Sequence, residues 1–402
     1  MKCDINCSNI TSKISNPLFS ALGLNAWNSI AGLLNAVLII YLFSKENQGL
    51  YYTITSITAI KVIFDAGFSN VIIAYVSHHK NKILVDNIVT FKEDGFEKLS
   101  NVFNYSRKRY RVVASIGFIV LQLCALFFFK DLINTLSIFY WLLISLFFAI
   151  NLIYIPYFSV LEGLDLLTSI FNFRLRSSLI SYLASWGVML MGGGVLCLLV
   201  TNAVMLVNNV VYVRKYKNLF EQLKQGSSDG GAVRSQVSSF SAKINVSFFT
   251  GYLLNNGIVP LIFKYIGSSA AGSYGLTWSL FSVISVFPKQ LIFVIRPKLG
   301  SLFSENRYKE MWNLFINRFA KAILLFLFMN IIVLLLADAF SATISNRILG
   351  THQLYLMSSL FVILNVKGYY SYFFRAQLKD PLYIHDTLAS VLVIIFIFLS
   401  ES

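Results

Sequence analysis

The feature that most constrains this chain is a series of long apolar runs separated by short polar segments. A hydrocarbon core of ~30 Å is crossed by about 20 apolar residues in a helix, and about eleven runs reach or approach that length. Only 13% of the 402 residues are charged, against about 25% in soluble domains. The sequence therefore predicts an all-α polytopic membrane protein. The predicted spans are 20–43, 50–77, 111–129, 133–160, 176–191, 194–213, 245–265, 270–293, 319–341, 352–374 and 383–399.

The basic residues predict how these spans are oriented. The net charge is +15, but most of the 33 Lys and Arg residues lie in the segments that face one side when the N-terminus is cytoplasmic. The opposite side holds only Lys45, Lys130, Lys264 and Arg347. This is the positive-inside pattern of topology signals, so it indicates a cytoplasmic N-terminus and does not indicate a nucleic-acid-binding surface.

One predicted span, within Gln48–His79, carries two charges near its middle, Lys61 and Asp65. Their i, i+4 spacing places both on one helix face. A lone charge at this depth costs about 3 kcal/mol on insertion scales, so the two side chains are expected to face protein or water. They form either an ion pair that only packs or a polar spot in a transport cavity.

The same stretch resembles a known family. QGLYYT at 48–53, followed by FDAGFSNVIIAYVSHH at 64–79, is similar to the second transmembrane helix of Wzx-type O-antigen flippases, which belong to the multidrug/oligosaccharidyl-lipid/polysaccharide exporter superfamily. That subgroup usually shows Gln-Gly-Tyr-Tyr, then Phe-Glu-Leu-Gly, then Ser-His. Here Phe64-Asp65-Ala66-Gly67 has Asp in place of Glu, while Ser77-His78 keeps the ending.

An internal repeat supports a two-lobed plan. Gly49-Leu50-Tyr51 parallels Gly272-Ser273-Tyr274, and each is followed by a segment with one apolar helix face. Aligning these segments pairs Phe96 with Tyr308, Leu99 with Met311 and Phe103 with Phe315. Both segments are expected to lie in the membrane interface, and the two copies form a parallel repeat.

The predicted lobes are 1–214, with spans 1–6, and 243–402, with spans 7–11. The polar segment 215–242 between them is a cytoplasmic linker. The resemblance implies a central cavity between the lobes and twelve spans. The twelfth is not seen before Ser402, so the C-terminus is expected to lie outside the cytoplasm.

Cations exceed acids inside the predicted spans. Lys61, Lys289 and Lys367 stand against Asp65, which suits an anionic cargo because a pyrophosphate oxygen 4 Å from an ammonium gains about 4 kcal/mol at an effective dielectric of 20. The other candidates are Arg174 and Arg176, which either meet a diphosphate or only anchor topology, and Asn255 and Asn256, which bond either sugar hydroxyls or another helix.

The resemblance implies a flippase of the bacterial inner membrane that moves undecaprenyl-pyrophosphate-linked O-antigen or other surface-polysaccharide units to the outer leaflet by alternating access. It implies contact with membrane lipid and with the polysaccharide polymerase and chain-length machinery. A same-fold exporter of lipid-linked peptidoglycan precursor or of a cationic drug is the alternative. A membrane glycosyltransferase or polymerase is less favoured because the outside loops are short and no catalytic set is visible. No cofactor motif and no metal-ligand spacing is present.

Overall fold

Most of the long apolar runs form helices. The computed structural model describes residues 17–65, 67–79, 82–85, 88–91, 93–129, 135–225, 249–339 and 346–377. The elements in the first half are α1 (Pro17–Leu42), α2 (Lys45–Thr58), α3 (Lys61–Asp65), α4 (Phe68–His79), β1 (Lys82–Val85), β2 (Ile88–Phe91), α5 (Glu93–Phe128), α6 (Thr135–Ile153), α7 (Ile155–Gly163), α8 (Leu167–Leu190), α9 (Leu196–Arg214) and α10 (Lys217–Gln225). After a π-helix at Leu253–Gly257 follow α11 (Ile258–Tyr265), α12 (Ser268–Phe293), α13 (Arg296–Ser304), α14 (Tyr308–Ala339) and α15 (Thr351–Ala376).

Seven predicted spans coincide with helices that are long and apolar enough to cross a bilayer. Six such stretches occur in the described part of the chain: Phe19–Leu42, Phe96–Phe128, Ile138–Gly163, Leu196–Arg214, Ser268–Ser304 and Tyr308–Leu336. A seventh is the pair Lys45–Asp65 and Phe68–Ser77, which is bent by 43° at the break between them. The chain is therefore a multi-pass membrane protein by the length and composition of its helices.

The other four predicted spans do not coincide with such a stretch. Span 176–191 lies within the 24 residues of α8, and span 352–374 lies within the 26 residues of α15. Both helices are long enough to cross, but neither meets the apolar criterion that the other helices satisfy. Span 245–265 is interrupted by the π-helix, which leaves α11 with 8 residues. Span 383–399 lies outside the described residues.

The membrane-crossing candidates are helical, as predicted, and one short hairpin lies between two of the helices. Strands β1 and β2 form an antiparallel hairpin in the register Lys82↔Phe91 to Val85↔Ile88. The strand sequences KILV and IVTF are rich in branched residues, which favour strands. The hairpin follows α4 directly in the chain, in a stretch predicted to be a loop.

The two segments predicted to lie flat in the membrane interface do not form separate helices. Each is the first part of one continuous helix, α5 with 36 residues and α14 with 32. Part of each apolar face is buried in protein: Leu99, Phe103 and Phe315 are fully buried and Met311 is nearly so, whereas Tyr308 and Trp312 are exposed. An amphipathic pattern reports only that one face avoids water, and here neighbouring helices cover part of that face.

The described residues fall into two compact units that do not follow chain order. The first unit comprises the described residues of Met1–Leu24 and Ile57–Asn255, and the second those of Asn25–Ser56 and Asn256–Ser402. The helix pair α1–α2 thus belongs mostly to the second unit by its contacts. The division into lobes 1–214 and 243–402 remains a prediction about evolutionary and functional repeats.

Each unit has an aromatic cluster around the start of its long helix. In the first unit, Phe103 stacks on Phe220 with ring centroids 5.2 Å apart and meets Tyr157 edge-on at 5.2 Å. In the second unit, Phe315 meets Phe373 at 4.5 Å and Tyr370 at 5.4 Å. Phe103 and Phe315 are the positions that the repeat aligns, so their equivalent burial is consistent with the repeat.

Candidate functional site

Asp65 lies at the break between α3 and α4 in the first unit. Gly67 adopts φ +72°, a left-handed conformation that lets the chain turn between the two helices. The Asp65 carboxylate then accepts hydrogen bonds from the Tyr110 hydroxyl, from the Ser69 hydroxyl at 2.8 Å and from the Ser69 backbone N–H at 3.3 Å. The carboxylate therefore has three donors at this break and satisfies an N–H in the first turn of α4.

The interpretation of Lys61 and Asp65 as an ion pair is wrong. Lys61 is the first residue of α3 and is exposed, whereas Asp65 is partly buried and hydrogen-bonded to Tyr110 and Ser69. No ion pair joins the two among the described residues. The hydroxyl of Tyr110, which is 1% exposed, needs a partner in the protein interior, while the long lysine side chain can extend to the surface.

Aromatic rings pack beside the tyrosine that binds this carboxylate. Phe68 and Tyr110 are both buried, with ring centroids 5.9 Å apart, and the Arg109 guanidinium lies 3.8 Å from the centroid of the Phe68 ring. A guanidinium over a ring face at that distance is a cation–π contact. The charged group in contact with these rings is thus Arg109, which sequence reasoning did not single out.

The two predicted arginines of α8 differ in their contacts. Arg174 forms an ion pair with Glu162, which comes from the last turn of α7. Its side chain is 42% exposed and that of Glu162 is 15% exposed. Arg176 is exposed and has no ion-pair partner among the described residues. A phosphate would have to displace Glu162 from Arg174 but could approach Arg176 directly.

The remaining predicted lysines lie in the second unit, on α12 and α15. These helices are joined by a buried hydrogen bond from the Asn365 amide to the Ser285 hydroxyl, 2.9 Å long. Lys289 follows Ser285 by four residues and shares its helix face, whereas Lys367 follows Asn365 by two residues, about 200° around α15. Both lysines are half-buried, but they do not share the seam between the helices.

The asparagine pair Asn255–Asn256 lies in the π-helix Leu253–Gly257. The Asn255 amide donates to the Gly251 carbonyl at 2.7 Å, and the Asn255 side chain is exposed. Its hydrogen bond is therefore local to its own helix and does not reach a second helix. π-turns often mark functional sites.

Sequence reasoning missed that the two repeat glycines touch each other in the second unit. A Cβ built on Gly49 would lie 1.9 Å from the Ser268 carbonyl oxygen, and one built on Gly272 would lie 2.9 Å from the Gly49 nitrogen. Gln48, which is 1% exposed, donates from Nε2 to the carbonyls of Gly272 at 2.9 Å and Arg347 at 3.0 Å. The small residues spaced by four, Ser268 and Gly272, were the available signal for this close crossing of α2 and α12.

Comparison with known proteins gives a structural match alone. No family model matches the sequence, and no curated protein matches it. A solved structure described as the inward-facing conformation of a multidrug resistance MATE family transporter of the MOP superfamily is similar to the chain, with a TM-score of 0.60 and 11% identity. The match covers 96% of this chain and 85% of that one. The chain thus has a membrane-helix fold similar to that of this solved transporter.

Proposed function

We propose that the protein is an alternating-access exporter that moves an undecaprenyl-pyrophosphate-linked O-antigen unit, or another surface-polysaccharide unit, from the inner to the outer leaflet of the bacterial inner membrane. The similar solved structure supports a transporter, and the Gln48-to-His79 resemblance supports the Wzx-type branch. The cargo is an anionic amphiphile with a long lipid tail. A fold made of membrane helices is suited to keep that tail in the bilayer while the polar part crosses.

The observation that carries the proposal is the sign of the charges away from the helix ends. In the described candidate spans, Glu46, Glu97, Glu162 and Glu310 all lie within three residues of a span end. Asp65 is the one acidic residue of those spans away from an end, and it already accepts three hydrogen bonds. Lys61 and Lys289 have no ion-pair partner among the described residues, so their charge is available to a pyrophosphate.

Complementation of a flippase-null strain tests the proposal. The wild-type gene is expected to restore surface polysaccharide and to clear lipid-linked units from the cytoplasmic side. Lys289→Gln and Lys367→Ala are expected to lower export at equal protein level, and Lys367→Arg is expected to be milder because it keeps the charge. Lys298→Gln, which neutralises an exposed lysine on the short helix α13, is the matched control and should export normally.

Two results would contradict the proposal. Failure of the wild-type chain to restore any polysaccharide in strains of several O-antigen types would remove the cargo assignment. Normal export by Lys289→Gln and Lys367→Ala together would remove the anion-binding role of the second unit, although the transporter assignment would stand.

A cationic-drug exporter is the second candidate, and Asp65 is the observation that favours it. A carboxylate between α3 and α4 is the kind of group that a cationic drug would need, and the similar solved structure is described as a multidrug resistance transporter. Drug-susceptibility assays separate the two. The cationic-drug candidate is favoured if the protein exports cationic dyes, if Asp65→Asn abolishes that export, and if the protein leaves the strain's polysaccharide unaffected.

The remaining alternative is a flippase for lipid-linked peptidoglycan precursor. Complementation of a strain that lacks its own peptidoglycan-precursor flippase tests it.

A further inference from the structure

A groove of about 660 Å³ lies in the first unit where two pairs of consecutive helices meet, α6 with α7 and α9 with α10. Its charged lining consists of Arg214, Lys217, Glu221 and Lys224. All four side chains are exposed. The groove is separate from Asp65, from the Arg174–Glu162 pair and from the lysines of the second unit, so none of the residues assigned above accounts for it.

The charges of the groove leave two cations without an acidic partner. Lys217 pairs with Glu221, with Nζ 3.6 Å from the carboxylate oxygen. This contact is weak because both side chains are at least half exposed. Arg214 and Lys224 have no ion-pair partner among the described residues. The groove therefore presents a local excess of positive charge that a bound anion would neutralise.

The other walls of the groove are apolar and aromatic. Tyr154 and Tyr157 line it from the junction of α6 and α7, and Val210 lines it from the last full turn of α9. Phe220 forms part of the wall and contacts Tyr157 with ring centroids 4.7 Å apart. A ligand that fills this groove has to be apolar on one side and anionic on the other.

The groove is lined at the end of a candidate membrane span. Arg214 is the last residue of the candidate span Leu196–Arg214, and Val210 lies one turn before it, inside that span. Tyrosines and basic residues at the end of a span are typical of the membrane–water interface. The lining thus passes from Val210 inside the span to Arg214 at its end and Lys224 beyond it.

The floor of the groove is fixed in place. Helix α10 is only nine residues long, but Leu219, Phe220 and Leu223 are buried. Its C-terminal turn is held by the Ser100 hydroxyl and the Asn104 amide, which donate to the Leu223 carbonyl at 2.6 and 2.9 Å. The cations on α10 are therefore carried by a docked helix, and a ligand need not order them from a flexible loop.

We propose that this groove binds the headgroup of an anionic phospholipid of the surrounding bilayer, at the leaflet to which the basic segments face. The phosphate lies against Arg214 and Lys224, and the first part of an acyl chain lies along Tyr154, Tyr157 and Val210. The bound lipid is a component of the membrane and not the cargo, so the inference does not rest on the proposed transport function.

The test is a native mass spectrometry titration of the purified full chain with phosphatidylglycerol, with phosphatidylcholine as the zwitterionic comparison. Phosphatidylglycerol is expected to bind more tightly. Because each basic residue near an anionic lipid surface contributes a factor of about five, Arg214→Gln with Lys224→Gln should weaken that binding by roughly 30-fold. Glu221→Gln releases Lys217 and should strengthen it about fivefold or less.

The matched control is Lys298→Gln with Lys321→Gln, which removes two exposed lysines from the second unit and the same net charge. Its affinity for phosphatidylglycerol should stay within about twofold of wild type, which the mechanism of a local site requires. Glu221→Gln is expected to strengthen phosphatidylglycerol binding, which poor folding would not do. The test therefore stays valid even if Arg214→Gln with Lys224→Gln folds poorly.

Four outcomes would overturn the proposal. The first is an equal loss of affinity for phosphatidylglycerol in the groove variant and in the control. The second is equal affinity of the wild-type chain for phosphatidylcholine and phosphatidylglycerol. The third is weaker binding of phosphatidylglycerol by Glu221→Gln. The fourth is displacement of phosphatidylglycerol by inorganic phosphate or by undecaprenyl pyrophosphate at lower concentration, which would assign the groove to a free anion or to the cargo.

Discussion

Substitution of Gly49 by alanine tests the close crossing of α2 and α12 most directly. The new methyl carbon would lie 1.9 Å from the Ser268 carbonyl oxygen and 2.6 Å from its carbonyl carbon, both of which belong to the backbone of α12. No side-chain rotation relieves such an overlap. The two helices would have to separate by about 1.5 Å before this contact reached the 3.4 Å of an ordinary one, because backbone atoms leave no side chain to rotate away.

The expected cost follows from what that separation removes. The hydrogen bond from Gln48 to the Gly272 carbonyl, 2.9 Å long, would lengthen beyond bonding distance, which costs about 1–3 kcal/mol at a buried site. Overpacking adds about 1–3 kcal/mol. Alanine recovers about 1 kcal/mol because it favours the helix over glycine. The net loss of stability is therefore about 1–5 kcal/mol, seen as a lower melting temperature in detergent.

The control uses the opposite expectation for another helical glycine. A Cβ built on Gly187 in α8 would meet nothing within 4 Å, so Gly187→Ala should be neutral or should stabilise by up to about 1 kcal/mol. Thermal unfolding followed by fluorescence-detected size exclusion measures both variants. An unchanged melting temperature for Gly49→Ala, with Gly187→Ala also unchanged, would refute the close approach of the two helices.

Three further predictions follow from contacts in the first unit and from the charge pattern. Tyr110→Phe removes a hydrogen-bond donor to the Asp65 carboxylate and should lower the free energy of unfolding by about 1.5–3 kcal/mol. The control Tyr105→Phe lies on the same helix, and its hydroxyl makes no hydrogen bond to a described residue, so its cost should be small. Equal melting temperatures for the two variants would contradict the Tyr110–Asp65 contact. Arg174→Gln should cost about 1 kcal/mol, and Glu162→Gln in the same chain should recover part of it; strictly additive losses would mean that the pair does not couple. Reporter fusions at Lys217 and Lys309 should both report a cytoplasmic position, and an external signal at either site would reverse the predicted orientation.

The length and hydropathy of the chain were enough to predict most of the spans because both are local properties. A run of about 20 apolar residues has one stable solution in a bilayer, a helix that satisfies its own backbone. The same local reasoning failed at Asp65. The i, i+4 rule compares residues within one helix, whereas the group that binds this carboxylate, Tyr110, comes from 45 residues further along the chain.

The prediction that the two amphipathic segments form separate helices in the membrane interface failed for a related reason. The pattern of Phe96, Leu99 and Phe103 is the same whether lipid or protein covers the apolar face. Only the presence of α10, with Phe220 stacked on Phe103, decides between the two. The contacts of the QGLYY stretch in the second unit are those of helix packing: Gln48 donates a hydrogen bond to the backbone of α12, and the Tyr52 and Ser279 hydroxyls lie 3.4 Å apart.

The length of α5 has a mechanical consequence. Its 36 residues form a rod of about 54 Å, well beyond the ~30 Å of the hydrocarbon core. The end that carries Leu99 and Phe103 is locked into the cluster with Tyr157 and Phe220, so this cluster moves with the rod when the membrane part tilts. A tilt of 10° about one end displaces the other by about 9 Å. Small rotations of the rod are thereby converted into large displacements at the end that carries Glu97, where a spin or fluorescent label beside Glu97 would report them with the greatest amplitude.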